Sequence, residues 1–208
     1  MGVTLKSLVI IGVPRSGKTT LARCILGLFS ENRQPVAFLS ADSIIGGLTN
    51  VQKQNFFWGV FVRPMRHIIP GLATKTKHER INNMLTFVAR FIRETGDIVP
   101  VVYEGAYITP ETAKKTFDLK KCMVVVIGSP DCAVGDKIAD IRKFDKKTPY
   151  SKRTSNELET IIAQNIEKSK KMRESAEKLG FMFIDTSNDY DGAIKSAAKK
   201  IYRELNKK

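Results

Sequence analysis

Residues 9–22 read VIIGVPRSGKTTLA. An apolar, β-branched run stops at Gly12, passes through Pro14 and Gly17, and turns apolar again after Lys18, Thr19 and Thr20. Within it, Gly12-Val13-Pro14-Arg15-Ser16-Gly17-Lys18-Thr19 matches G-x-x-x-x-G-K-[ST], with the strand before and the helix after that the pattern requires. Gly12 and Gly17 let the backbone turn tightly enough for its N–H groups to face phosphate oxygens. The following helix adds the positive end of its dipole. Lys18 brings a full charge to the outer phosphates, and the Thr19 hydroxyl is a ligand for the magnesium that bridges them. The stretch therefore reads as the cradle of a nucleoside triphosphate with Mg2+, its contacts running from Gly12 to Thr20.

Working outward, the chain of 208 residues is long enough for one buried α/β core and short for two independent domains. With 42% hydrophobic and 27% charged residues, a soluble globular protein is expected. No apolar run approaches bilayer-spanning length. Residues 8–13 are too short for a signal-peptide core and lead straight into the glycine turn. Lys6 stands where a myristoylation signal needs Ser or Thr. Cys24, Cys122 and Cys132 are odd in number, lack metal-ligand spacing and read as reduced cysteines of a cytoplasmic protein. The formal net charge of +14 attracts small phosphates, nucleic acid or a membrane surface, and does not choose among them.

Continuous apolar runs recur at residues 8–13, 36–40, 98–103, 122–127 and 181–184, the pattern of parallel strands buried on both faces. Helical periodicity fills 18–29, 79–94, the highly charged 156–179, and the tail 192–205. Gly180 stands where the third of these helices should end. Neither repeat nor linker interrupts the alternation, so one layered α/β domain over 1–208 is expected. Two long excursions, 46–77 and 143–154, interrupt it and are candidate substrate-binding and lid elements.

No N-K-x-D guanine signature is present, and the third strand ends in Val102-Tyr103-Glu104-Gly105 rather than the Asp-Glu of transporter-type or AAA-type ATPases. The chain resembles the nucleoside and nucleotide kinase group of P-loop proteins, which includes adenylate-kinase-like, shikimate-kinase-like and zeta-toxin-like enzymes. That resemblance rests on GVPRSGKT, on Asp42 directly after the second strand, on Glu104 at the end of the third, and on the basic segment 143–154. It implies a P-loop NTPase three-layer sandwich with a five-stranded parallel sheet and a mobile lid, using ATP and magnesium.

Asp42 and Glu104 both fall at the carboxyl ends of strands, where open α/β sheets collect ligands. In similar kinases the first acid orients the acceptor hydroxyl or takes its proton. The second holds magnesium through water or binds substrate. Asp42 in Ser40-Ala41-Asp42-Ser43 also suits a helix N-cap. Asp185, ending the fifth strand in Asp185-Thr186-Ser187, lies by the adenine in related folds, but its sequence is equally turn chemistry.

Arg142 and Arg153 bracket a lysine-rich stretch holding one acid, Asp145. A lid arginine brought over the transferring phosphoryl group would stabilise its charge. The alternative is a solvated basic loop. Residues 55–61, NFFWGVF, are either packing beneath an inserted helix or a stacking wall for a base or acceptor. Arg63, Arg66 and Arg80 follow as candidate contacts for an anionic acceptor, while His67 and His78 lack partners that would mark catalysis.

The leading expectation is an ATP-dependent kinase acting on a small acceptor: a nucleoside, nucleotide or phosphorylated metabolite. The competing one is a nucleic-acid-binding P-loop ATPase, or a kinase of polynucleotide ends, using the excess lysine of the tail. No nucleic-acid-binding module is visible in the sequence.

Overall fold

The computed structural model describes residues 5–45, 77–145 and 148–207. Among these, five parallel strands form one sheet in the order β2-β3-β1-β4-β5. They are β1 (Ser7–Gly12), β2 (Ala37–Ser40), β3 (Val101–Gly105), β4 (Cys122–Gly128) and β5 (Met182–Asp185). The helices are α1 (Lys18–Glu31), α2 (Lys77–Thr95), α3 (Pro110–Thr116), α4 (Val134–Phe144), α5 (Ser155–Lys178) and α6 (Tyr190–Leu205). Residues 41–45 are also helical, and a 3-10 turn at Pro149–Lys152 precedes α5.

The two-residue period of the strands sorts the core into two layers. Leu8 and Ile10 of β1, with Val125 and Ile127 of β4, pack against Leu21, Ile25 and Phe29 of α1 and Ile194 and Ile201 of α6. Val9 and Ile11, with Tyr103, Val124 and Val126, face the other way onto Met84, Val88 and Ile92 of α2, Ala113 of α3 and Ala176 of α5. The result is helix, sheet, helix, as expected.

The central strands β1, β3 and β4 are buried along nearly their whole length, as their continuous apolar runs require. The outer strands β2 and β5 are only partly covered, so burial on both faces does not extend to them. The third strand also starts later than the apolar run at 98–103 suggests. Pro100 has no N–H for a ladder. Before it, the amides of Ile98 and Val99 both donate to the Thr95 carbonyl, closing the end of α2, and Ile98 is 86% exposed. The strand therefore spans Val101–Gly105 and contains Glu104.

Two helices had no counterpart among the periodic segments. Helix α3 is short, but Thr109 caps it by accepting from the Thr112 amide and Pro110 occupies its first turn, a local signal that was there to read. Helix α4 has no side-chain cap. Helix α5 begins with a capping box between Thr154 and Glu157 and ends before Gly180, which adopts φ 70°. Among the described residues, no helix is long and apolar enough to cross a membrane.

Ile10 is fully buried in the α1–α6 layer, and Ile98 is exposed. Ile10→Ala is expected to cost about 2–5 kcal/mol of unfolding free energy, whereas Ile98→Ala should change it by less than about 0.5 kcal/mol. Urea unfolding followed by circular dichroism compares the two, and equal midpoints would contradict the strand boundary given above.

Candidate nucleotide and acceptor site

All five strands point their carboxyl ends to one edge, and the P-loop leaves that edge at β1, the middle strand. Gly12 pairs with Ile127 of β4. A Cβ at Gly12 would lie 2.1 Å from the Ile127 carbonyl oxygen, so only glycine lets the chain turn there. Gly17 takes φ 103° and Arg15 φ 64°, left-handed backbone on both sides of Ser16. Helix α1 starts immediately afterwards with neither a side-chain cap nor an acidic residue in its first turn. Its leading amides thus remain open to an anion, whereas Thr154 and Asp189 close the ends of α5 and α6.

Lys18 is buried and donates through Nζ to the Val13 carbonyl oxygen at 2.7 Å, spanning the loop it belongs to. Burial lowers its pKa to about 8; Glu104 and Asp42 oppose that shift and Arg15 adds to it. The Ser16 hydroxyl is fully buried with no hydrogen-bond partner among the described residues. Thr19 and Thr20 are exposed on the first turn of α1. Tyr190 of α6 donates its hydroxyl to Thr20 Oγ1 at 2.9 Å, tying the loop to the last helix.

The two strand-end acids come together beside Lys18. Glu104 pairs in register with Ser40 of β2 and Ile10 of β1. It is buried, and its Oε1 accepts from the Ser40 hydroxyl at 2.7 Å. Asp42 is exposed, one residue into the helical turn 41–45, so it does not precede that turn as an N-cap would. Its carboxylate accepts from the Tyr107 hydroxyl, and burial together with Asp42 raises the Tyr107 pKa. Tyr107 was not singled out from the sequence: it lies two residues beyond β3 with no motif around it.

Of the lid residues, Arg142 donates to the carbonyls of Ser151 (3.0 Å) and Arg153 (2.8 Å), and so braces the 3-10 turn. Arg153 pairs with Glu157, one turn along α5, at 3.2 Å. Asp145, the lone acid of the basic stretch, is buried at the end of α4 and forms an ion pair with Arg15 of the P-loop. The Arg15 guanidinium lies 5.9 Å from the Tyr150 ring centroid. The expected excursion at 46–77 falls outside the described residues except for Lys77, and so do the aromatic stretch 55–61, Arg63, Arg66 and His67. Arg80 falls within α2.

Beyond β4 and β5, Thr186 is buried and donates to the Gly128 carbonyl at 3.0 Å, close to the Ser16 carbonyl. Lys137 reaches Ser129 Oγ at 3.3 Å and lies 5.9 Å from the Tyr190 ring centroid. Asp185 accepts from the Ser187 amide and hydroxyl and sits 3.6 Å from Arg173, which also pairs with Asp131. Its bonds are those of a turn joining two loops.

No family model matches the chain, and no curated protein matches it at a significant level. Solved structures do. A gluconokinase from Sinorhizobium meliloti 1021 superposes with a TM-score of 0.56 at 13% identity, covering 98% of this chain and 97% of that one. A shikimate kinase from Acinetobacter baumannii, in complex with shikimate, gives 0.54 at 20% identity over 97% and 93%. A sugar kinase from Janibacter sp. HTCC2649 gives 0.51 at 14% identity over 97% and 96%. The chain has a P-loop kinase fold.

The loop from β1, Glu104 and Asp42 all lie at the carboxyl edge of the sheet. A cavity of about 730 Å3 lies elsewhere, lined by Leu85, Arg90, Arg93, Phe117, Lys121 and Cys122. Cys122 pairs with Ser7, five residues before the Gly12–Ile127 pair, so this cavity belongs to the opposite edge of the sheet. It offers neither a phosphate cradle nor a strand-end acid.

With its pKa lowered to about 8 by burial, Lys18 should be about half deprotonated near pH 8 in the free protein. Phosphates favour its charged form, so nucleotide binding near that pH should take up about half a proton. Above it, affinity should fall as the lysine loses its charge. Calorimetry of MgADP binding in two buffers of different ionisation enthalpy measures the uptake. Lys18→Arg should abolish it, and buffer-independent heats in the wild-type protein would refute the assignment.

Proposed function

We propose that this chain is a magnesium-dependent phosphotransferase that moves the γ-phosphoryl group of ATP to a hydroxyl of a small acceptor. The observation that carries this reading is the convergence of a phosphate cradle on β1 with two acids from the adjacent strands β3 and β2, both close enough to Lys18 to act on its charge. Three features fit a magnesium triphosphate: the clearance at Gly12, the uncapped start of α1, and the buried Ser16 hydroxyl. Among the described residues no three His, Cys, Asp or Glu side chains gather into a ready metal cage. That suits magnesium, which usually takes one or two protein ligands beside substrate phosphates.

The P-loop amides and Lys18 would hold the phosphates, and Thr19 and Glu104 the metal. Bound magnesium would neutralise phosphate charge and hold the oxygens in place. Asp42, exposed and steadied by the Tyr107 hydroxyl, would orient the acceptor hydroxyl and receive its proton. Glu104, buried against Ser40, is better placed to hold than to exchange. The shared fold supports a small-molecule acceptor and gives no such support to a nucleic acid. The three free cysteines, Cys24, Cys122 and Cys132, agree with a reducing, cytoplasmic setting.

The test is ATP consumption with magnesium across a panel of sugars, sugar acids, nucleosides, nucleotides, phosphorylated metabolites and oligonucleotides, with products identified by mass. Lys18→Ala should abolish transfer. Asp42→Asn should bind nucleotide within about threefold of wild type while transferring roughly 10²–10⁴-fold more slowly. Equal turnover by Asp42→Asn would remove that residue from the mechanism. Stimulation by oligonucleotides alone, without a phosphorylated product, would replace the kinase with a nucleic-acid-dependent ATPase.

A further inference from the structure

We infer that Arg15, supplied by the P-loop itself, is the cation that meets the terminal phosphate, and that Asp145 and Tyr150 are the residues that position it. This rests on the triphosphate reading of the loop and gives Arg15 the part expected of a lid arginine. The arginines flanking the lid are otherwise engaged. Arg142 spends both terminal nitrogens on backbone carbonyls of Ser151 and Arg153, and Arg153 is paired with Glu157. Withdrawing Arg142 would remove both of its contacts to the segment around the 3-10 turn.

Arg15 has a different setting. It lies in the middle of the cradle, two residues before Gly17, and its influence on Lys18 shows that the two cations share one small region. One of its nitrogens, Nη2, is taken by Asp145, whose side chain is 4% exposed against 35% for Arg15. Among the described residues, its other guanidinium nitrogens have no hydrogen-bond partner. A guanidinium has five N–H donors in a planar fork, so one edge can be anchored while the other contacts a phosphate. The Tyr150 ring lies beside the guanidinium and limits its swing.

The backbone supports the same conclusion. Arg15 holds φ 64°, a conformation that costs a non-glycine residue energy and concentrates at functional sites. Glycine would adopt it freely, so the side chain is kept against a local preference. Asp145 terminates α4, at the start of the lid, and Tyr150 belongs to the turn that follows. The phosphate loop and both parts of the lid therefore meet at one guanidinium.

The decisive measurement is the affinity of the full-length protein for MgATP and for MgADP, in the wild type and in Arg15→Gly, Arg15→Lys and Asp145→Asn. It needs no acceptor. Arg15→Gly should weaken MgATP by about 10- to 100-fold, the range of a charge-assisted contact, while leaving MgADP within about threefold. Arg15→Lys should recover part of the loss, because charge remains but the fork is gone. Asp145→Asn should lose about three- to tenfold of the same ATP preference, with MgADP again little changed. A role confined to holding the fold together would weaken both nucleotides alike. An unchanged ATP-to-ADP ratio in Arg15→Gly overturns the proposal, and thermal melting in parallel confirms that each variant is folded. Loss of the ATP preference in Arg15→Gly, with no acceptor phosphorylated by the wild type, would sink the kinase reading and sustain this one. Failure to bind either nucleotide would sink both.

Discussion

A single missing carbon at Gly12 governs the site. The backbone there runs so close to the Ile127 carbonyl that a side chain would have to displace β4 from the central strand. Because β1 lies between β3 and β4, that displacement would reach both layers of the core. With the hydrogen in place, the chain leaves the sheet at once, curls through left-handed Arg15 and Gly17, and enters α1 with its first amides uncapped. The left-handed turn and the uncapped start of α1 follow from this early exit.

The charges are then divided between separate elements. Burying Lys18 disfavours its charge, and the carboxylates of Glu104 and Asp42, arriving from adjacent strands, restore part of what is lost. Arg15 works against Lys18, and its own partner comes from the end of α4. The two loop cations thus draw on different acids. Asp42 is not part of the Arg15 pair, and a carboxylate beside the Tyr107 hydroxyl keeps acceptor capacity for a proton or a hydroxyl. A site in which one carboxylate served both cations would have no such freedom.

Much of this was legible in the sequence, because the informative features are local. GVPRSGKT carries its glycines, lysine and threonine in one stretch, and the buried strands announce themselves as apolar runs. Gly180 marked the end of α5 because a left-handed residue is needed there. The third strand starts three residues later than its apolar run, because Pro100 lacks a donor and the amides of Ile98 and Val99 serve the end of α2. The lid is legible in the sequence only as composition. Composition showed a basic loop bracketed by Arg142 and Arg153, but a guanidinium's target depends on which carbonyls the fold brings near it. Asp145, Tyr107 and Tyr190 were invisible as site residues, since each joins a loop distant from its own position in the chain.

Tyr190 gives the nucleotide loop a place in time as well as space. The loop is written into the first twenty residues of the chain, yet its neighbours β3 and β4 come from residues 101–105 and 122–128, and the tyrosine against Gly17 and Thr20 comes from the last helix. At ordinary rates of translation, roughly 10–40 s separate the emergence of the loop from that of Tyr190. Until β3 and β4 emerge, β1 lacks both of its strand partners. A ligand that binds only the folded site stabilises the completed domain by mass action. The cradle is thus made well before the strands and the tyrosine that complete it.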